Sequence, residues 1–325
     1  MPSQRDVKDK IASVKNIQKI TRAMEMVAAA RLRRAEMRIE ALRPYADALR
    51  RMTRQAALAA GAEALRVPLL AGHERVERVA VLLVSGDRGL AGGFNSQIIR
   101  AGIRLGGEIS DEGLQSSWYV AGRRGASSMS FRGYELSGTY TGFSDRPAHA
   151  DARAIADDLV AAYTDGHVDR VEIIYNSYIS PLTQRVTQER LLPLSEATIT
   201  GEPSGEDGQA PEGGAGEPPR AAAASGEPSA EDRQDKSPSR AAVDYEPDPE
   251  KILKRLVPDY VELSIYRALV ESTAGFFGAQ MTAMRSASEN AGEIITDYTL
   301  QMNRARQAEI TQEIMEVVAG AEGLS

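Results

Sequence analysis

The sequence predicts an α/β protein extended by a long antiparallel coiled coil. Three observations support this fold class: helical apolar spacing over the first sixty residues, the same spacing over the last sixty, and a middle region where short apolar runs alternate with helical segments. We expect the terminal helices to pair into a rod, with an open, Rossmann-like α/β domain at one end. Of the 325 residues, 42% are hydrophobic and only 5% aromatic, a composition that suits long helices.

The N-terminal segment, residues 1–60, is predicted to form one long coiled-coil helix. Its apolar residues recur three and four positions apart, which places them on one stripe: Ile11, Val14, Ile17, Ile20, Met24, Val27, Ala28 and Leu32. Pro44 has no amide hydrogen, so we expect a kink there. A helix of this length spans roughly 80 Å and cannot bury such a stripe by itself.

Residues 75–199 are predicted to form the α/β globular domain. The run 79–84 is continuously apolar, as in a buried parallel strand, and the glycine-rich turn 85–95 leads from it into a helix over 96–108. A second strand is predicted at 118–121, ending at the turn Gly122–Gly125. A helix follows at 151–163, and two further strands at 170–177 and 185–194. This alternation is typical of an open sheet covered by helices.

Two segments complete the chain. Residues 200–243 are rich in Gly, Pro, Glu, Ala and Ser, a composition that predicts an acidic, low-complexity, disordered loop. Residues 258–320 are predicted to form the second coiled-coil helix, with Pro258 at its first position. Its apolar and small residues again repeat every three or four positions: Met281, Met284, Ala287, Ala291, Ile294, Ile295, Tyr298, Met302 and Ala305. Each long helix must therefore pack against the other.

The composition narrows the classes of partner and compartment. The chain has no cysteine, which excludes disulfides, thiolate metal sites and thiol switching. It has no apolar run near the roughly 20 residues of a membrane span, and its N-terminus is not that of a secretory signal, so we expect a soluble or peripheral protein. Residues 1–54 carry 14 Lys and Arg against 6 Asp and Glu, but with one aromatic, Tyr45; a solvated or acid-facing helix is favoured over nucleic-acid binding.

No motif in the sequence indicates catalysis. The glycine-rich turn at 86–93 follows a strand, as a phosphate-binding loop does, but it matches neither nucleotide-binding spacing, and tight turns need glycine in any case. His73, His149 and His167 are scattered without ligand spacing. We therefore predict no catalytic residue, no nucleotide site, no metal and no cofactor. A rod with a globular end favours a mechanical or scaffolding role.

Three long motifs, in order, resemble the gamma subunits of F-type rotary ATP synthases. Residues 12–29 resemble the N-terminal signature of that family, residues 85–95 its first strand-turn segment, and residues 303–314 with 320–322 its C-terminal signature. Only about 200–243 falls outside the resemblance, because that stretch is longer and more acidic than the usual connection. A restraint on rotation by this loop is a hypothesis that its charge motivates.

The resemblance implies a central rotor shaft that couples proton flow through the membrane sector to ATP synthesis or hydrolysis, and that is not itself catalytic. The paired termini would sit inside a hexamer of three alpha and three beta subunits, with the C-terminal tip in an apolar collar. The α/β domain would bind the epsilon subunit and rest on the membrane ring of proton-carrying subunits, at the cytoplasmic side of a bacterial cell membrane. Arg306, Gln307 and Thr311 match positions that contact a beta-subunit loop, and Met24 matches one facing the beta lever segment.

Two alternatives remain open at this level. The chain could be a coiled-coil adaptor unrelated to ATP synthesis, which copurification with alpha and beta chains would discriminate. It could also be a nucleotide-binding α/β enzyme that uses the 86–93 turn, which equilibrium dialysis with ATP and NAD would expose. Neither alternative accounts for the two end signatures.

Overall fold

A computed structural model describes residues 4–61, 67–73, 75–194 and 248–322. Within these ranges the helices are α1 (Gln4–Ala60), α2 (Phe94–Asp111), α3 (Arg123–Phe131), α4 (His149–Thr164) and α5 (Pro249–Glu322). The strands are β1 (Arg78–Val84), β2 (Gln115–Ala121), β3 (Leu136–Tyr140), β4 (Arg170–Tyr178) and β5 (Gln184–Leu192). The predicted acidic loop 200–243 lies outside the described residues. Among the helices described, none is both long and apolar enough to cross a membrane.

The five strands form one sheet in the order β3-β2-β1-β4-β5. The first four strands run parallel, and β5 returns antiparallel to β4. Because right-handed crossovers place helices on both faces of such a sheet, the central strand β1 is apolar on both sides, and Val79 to Val84 are all buried. The open α/β domain predicted from the alternating pattern is therefore confirmed.

The long helices cover parts of both faces of the sheet. On one face, Ala80 and Leu82 pack with α4, with the C-terminal part of α1 and with the N-terminal part of α5. On the other face, Val81 and Leu83 pack with α2, α3 and the Phe276–Phe277 pair of α5. The helix α5 thus runs from the amino edge of the sheet past its carboxyl edge and then leaves the domain to form the rod.

Several element boundaries differ from the sequence-based expectations. The C-terminal helix begins at Pro249, so Pro258 lies inside it rather than at its first position. The true start carries an ordinary helix signal: Asp248 precedes Pro249, and its carbonyl accepts the amides of Lys251 and Ile252. In contrast, α1 continues through Pro44 to Ala60, as the single N-terminal helix predicted from the sequence does. Elements α3 and β3 were not predicted, because their sequences hold few large apolar residues, and Gly122–Gly125 opens α3 rather than only ending a strand.

Candidate subunit interface

The rod is an antiparallel pair of helices. Lys10 stacks over the ring of Tyr298, Gln18 donates to the carbonyl of Ser288, and Arg31 lies over the ring of Phe277, so positions that ascend along α1 meet positions that descend along α5. The α1–α5 contact is the most extensive between any two described elements. The coiled-coil pairing predicted from the two stripes is confirmed.

The seam between the helices follows heptad spacing on both sides. On α1, the buried or half-buried seam positions are Val7, Ile11, Val14, Gln18, Thr21, Glu25, Ala28, Leu32 and Ala35. On α5, they are Phe277, Met281, Met284, Ser288, Ala291, Ile295, Tyr298 and Met302. Alternating steps of three and four keep one row of side chains facing the partner helix. In the middle of the α1 row, three successive seam positions are polar.

The apolar residues of α1 at this level face outward. Ile17, Ile20 and Val27 are 51%, 58% and 52% exposed, although the stripe predicted from the sequence included all three. That part of the stripe was wrong, because each of these residues precedes a seam position by one and so points about 100° away from the seam. Met24, half-buried, lies on the same outward row. At this level the apolar side chains face outward and the polar side chains face the seam. This is the reverse of the arrangement in a coiled coil that is stable by itself.

The tip of the rod is a single helix. Lys10 sits opposite Tyr298, so the residues of α5 beyond about 305 extend past the start of the described α1. Three of the four residues that the resemblance assigns to beta contact lie here, all exposed: Arg306, Gln307 and Thr311. Gln307 and Thr311 share a face, with the Thr311 hydroxyl donating to the Gln307 carbonyl at 2.8 Å. Met24 sits about 30 Å further down, near the level of Arg285, so the four residues form two groups rather than one site.

The tip also exposes apolar side chains. Ile310, Ile314 and Val317 are 48%, 57% and 73% exposed, and Met315 joins them. A contiguous exposed apolar surface of this kind marks a place where another molecule packs. The tip therefore offers both an apolar surface and the forked guanidinium of Arg306, which can donate two parallel hydrogen bonds to a carboxylate.

The glycine-rich turn at 85–95 forms part of the domain's own scaffold. The side chain of Asn95 bridges the turn, since its Oδ1 accepts the Gly86 amide and its Nδ2 donates to the Arg88 carbonyl. The carboxylate of Asp87 accepts the amides of three residues in two neighbouring segments: Arg123 at the start of α3, and Gly142 and Ser144 in the loop after β3. Burial alone would raise the pKa of Asp87, but these hydrogen bonds to the charged form lower it overall below the usual 3.8.

Little room is left at this edge of the sheet for a ligand. Phe276 and Thr273 of α5 close over Gly86, and the cavity among them has a volume of about 10 Å³. That is space for roughly one water molecule, whereas small-molecule sites occupy roughly 300–1,000 Å³. Leu90, with a φ of 62°, adopts the left-handed conformation within this tight turn. The geometry therefore gives the nucleotide-binding alternative no support.

Two of the three histidines, His73 and His149, pair with carboxylates. His73 Nδ1 lies 2.8 Å from Asp169, and His149 Nδ1 lies 2.7 Å from the buried Glu262 of α5. Burial would raise the pKa of Asp169, but amides of Glu77 and Arg78 and the His73 contact lower it overall. Across the described ranges, no three or more His, Asp or Glu side chains are grouped so as to hold a metal ion. These pairs tie loops and helices together.

Sequence reasoning missed the cross-helix polar contacts and the Asp87 network. Arg285 donates to Glu25 at 2.9 Å across the rod, and Gln18 donates to Ser288 at 3.2 Å. A heptad alignment of both helices would have placed Gln18 and Glu25 on the seam. No local pattern joins Asp87 to residues more than thirty positions away, so that network had no sequence signal.

Comparison with known proteins identifies the family. A family model described as ATP synthase matches residues 3–324. The ATP synthase gamma chain of Rubrobacter xylanophilus is 40% identical over 325 residues, covering 100% of this chain and 99% of the relative. The gamma chain of Nostoc punctiforme is also 40% identical over 325 residues, and the two cover each other fully. The chain belongs to the ATP synthase gamma-chain family.

Chains in solved ATP synthase structures share this fold. A chain of the Euglena gracilis mitochondrial ATP synthase in rotational state 3 superposes with a TM-score of 0.62 at 14% identity, covering 99% of this chain and 94% of its own length. A chain of the Tetrahymena thermophila central stalk and c-ring structure superposes with a TM-score of 0.54 at 21% identity, covering 83% of this chain and 99% of its own. The gamma chain is the central-stalk subunit of ATP synthase, and rotor coupling is the role of its family.

Proposed function

We propose that this chain is the non-catalytic shaft of a proton-translocating ATP synthase, with its rod turning inside a hexamer of three alpha and three beta subunits. Its α/β domain binds the epsilon subunit and rests on the membrane ring of proton-carrying subunits. The complex then lies at the cytoplasmic side of a bacterial cell membrane, which this chain touches only through its partners. ATP synthesis and hydrolysis take place on the hexamer, and the shaft biases the conformations of its beta subunits.

The inverted polarity of α1 is the observation that carries this proposal. Ile17, Ile20 and Val27 face outward while Gln18 and Glu25 occupy the seam. Exposing these apolar side chains to water is unfavourable by roughly 25 cal/mol per Å² of apolar area, so the rod is suited to a surrounding protein. The outward row points about 100° away from the seam on α1, so the rod is asymmetric about its axis at this level. A rotating shaft must present different faces to the beta subunits in turn, because a uniform shaft would bind all their states equally and bias none.

The proposed beta contacts form an upper and a lower group. Arg306, Gln307 and Thr311 form the upper one, where Arg306 can pair with a partner carboxylate and the Gln307 amide can donate and accept. Met24 forms the lower one, where its flexible thioether suits a surface that slides. Each contact breaks and reforms in every turn, so no single contact can be very strong.

Reconstitution with the matching alpha and beta subunits tests the proposal. We expect a hexamer-plus-one complex whose ATPase rate falls about tenfold in Arg306→Ala or Gln307→Ala, the loss expected when a charge-assisted hydrogen bond is removed. Arg100→Ala is the matched control, since Arg100 is an exposed arginine on α2 that bonds only to its own helix among the described contacts. Its complex should hydrolyse ATP at the unaltered rate.

Two results would count against the shaft. One is a chain that folds and stays soluble alone but never joins the hexamer, which would favour the adaptor alternative. The other is a complex in which the Arg100→Ala control loses as much ATPase activity as the two tip variants, which would assign the loss to general damage. ATP turnover by the isolated chain would contradict its non-catalytic role.

A further inference from the structure

Between the described parts of α1 and α5, a side-chain hydrogen bond and an ion pair cross the rod. Gln18 Nε2 donates to the main-chain carbonyl of Ser288 at 3.2 Å, and Arg285 Nε donates to Glu25 Oε1 at 2.9 Å. Among the other described seam positions, the Thr21 hydroxyl donates within α1 to the Gln18 carbonyl, and most of the remainder are apolar, with cations over the rings of Tyr298 and Phe277. Interdigitated apolar side chains keep the rest of the seam facing the partner helix, but the α1 row is polar from Gln18 to Glu25, so at this level the hydrogen bond and the ion pair have to fix the rotation.

A glycine in α5 makes room for the first of these contacts. A Cβ atom at position 292 would lie 3.2 Å from Gln18 Nε2, a distance at which the amide would have to move. Glycine inside a helix costs roughly 1 kcal/mol relative to alanine, so its presence in the rod needs a local reason. Close approach of the Gln18 amide to α5 supplies that reason.

These contacts lie at the same level as the outward apolar row. Gln18 and Glu25 sit on the three turns of α1 that also carry Ile17, Ile20 and Val27. A push received on that row acts on α1, whereas the tip residues beyond about 305 belong to α5 alone. Torque therefore has to be transmitted from α1 to α5. The polar contacts between the helices lie at the same level as the outward row on which a partner would push.

We propose that Gln18 and the Glu25–Arg285 ion pair are positioning residues that lock α1 and α5 against relative rotation, so that the rod turns as one body. This inference rests on the proposed shaft function and adds where the two helices are coupled. The lock is polar at this level because the seam positions of α1 are themselves polar there. Partial exposure of the pair, 22% for Glu25 and 55% for Arg285, leaves it strengthened once a partner excludes water around it.

A charge swap tests the ion pair in the complete ATP synthase. Glu25→Arg and Arg285→Glu each replace the attraction with repulsion, and the double variant restores an opposite pair with the original net charge. The quantity to measure is the ratio of ATP-driven proton transport to ATP hydrolysis in vesicles. We expect each single variant to lower this ratio about threefold, as befits an exposed ion pair, and the double variant to recover it.

The controls separate this inference from the shaft proposal. Glu289→Arg changes an exposed charge one turn further along α5 and should leave the ratio unaltered. Single variants with the native ratio, or a double variant as defective as the two singles combined, would overturn the rotational lock while the assembled native complex still upheld the shaft. A native chain that failed to assemble would overturn both.

Spin labels measure the lock directly. The chain has no cysteine, so cysteines introduced at the exposed positions Ser13 and Thr296 can be labelled alone, in the assembled complex. We expect Gln18→Leu to broaden the label-to-label distance distribution. Ser288→Ala should not broaden it, because the acceptor is the main-chain carbonyl and survives the change. Equal widths for native and Gln18→Leu rods would contradict the proposed role of Gln18.

Discussion

The rod and the α/β domain of this chain differ in where their apolar and polar side chains lie. In the domain, β1 is buried on both faces and Asp87 ties neighbouring loops together. In the rod, about half of the apolar residues in the stripe predicted on α1 face outward, and the seam contains polar residues. The domain is therefore stabilised by its own interior, whereas the rod depends on what surrounds it. This difference predicts where a substitution acts on the isolated chain and where it acts only on the complex.

The largest effect on the isolated chain should come from Trp118→Ala. Trp118 is 2% exposed, packs against Gly102 and Gly106 of α2, and meets Tyr134 edge-on at 5.4 Å. Removing a buried aromatic of this size costs about 3–5 kcal/mol, which urea unfolding of the full chain would measure. Phe131→Ala is the matched control, because Phe131 is 91% exposed, and it should shift the free energy of unfolding by less than about 0.5 kcal/mol. Similar losses for both would refute the picture of a self-stabilised domain.

A smaller effect is expected from Asp87→Ala. Three backbone amides would lose their charged acceptor, at a cost of about 2–3 kcal/mol. The folded-state pKa of Asp87 lies below its usual 3.8, so its contribution is fully present above about pH 4 and is lost as the pH falls through the lower folded-state value.

The pH dependence of unfolding checks this sign. Asp87→Asn should flatten the acid-side loss of stability, since the amide does not titrate. Glu135→Ala, at an exposed position ahead of β3, serves as the control and should keep the native acid limb. An Asp87→Asn chain with the native slope below pH 4 would show that other carboxylates dominate.

The smallest effect on the isolated chain should come from Ile20→Ser. Ile20 is 58% exposed, so the free energy of unfolding should change by less than about 0.5 kcal/mol. Assembly with the alpha and beta subunits should weaken nonetheless, because the substitution removes an apolar side chain that those subunits would cover. Ile11→Ser, at a buried seam position, should instead destabilise the isolated chain. The comparison between rod and domain would break if Ile20→Ser destabilised the isolated chain as much as Ile11→Ser does.

The sequence predicted the layout more completely than the interior of the rod. Continuous apolar runs identified β1, and the spacing of apolar residues identified α5, because burial dominates both. The predicted stripe wrongly included Ile17 and Ile20, because an argument from periodicity assumes that apolar residues pack within their own chain. The seam at Gln18 and Glu25 becomes visible only when both helices are aligned. Residues of α3 and β3 gave weak signals, because polar and small side chains dominate there.

The candidate contact residues followed from motif resemblance alone. The structure adds that Arg306, Gln307 and Thr311 are all exposed and that Gln307 and Thr311 share a helix face. Nothing in local spacing could have indicated Asp87, whose partners come from loops after β2 and β3. Long-range hydrogen bonds of this kind depend on the folded topology.

The antiparallel rod also imposes an order on synthesis. Gln18 bonds to a residue 270 positions later in the chain, and the face of the sheet that α5 covers gains that cover only when Pro249 onward has been made. At roughly 5–20 residues per second, a ribosome needs over ten seconds to bridge that gap. During this interval α1 has no helix to pack against, and one sheet face has only part of its cover. We therefore expect a chaperone or an early-arriving subunit to shelter the first helix until the last one emerges.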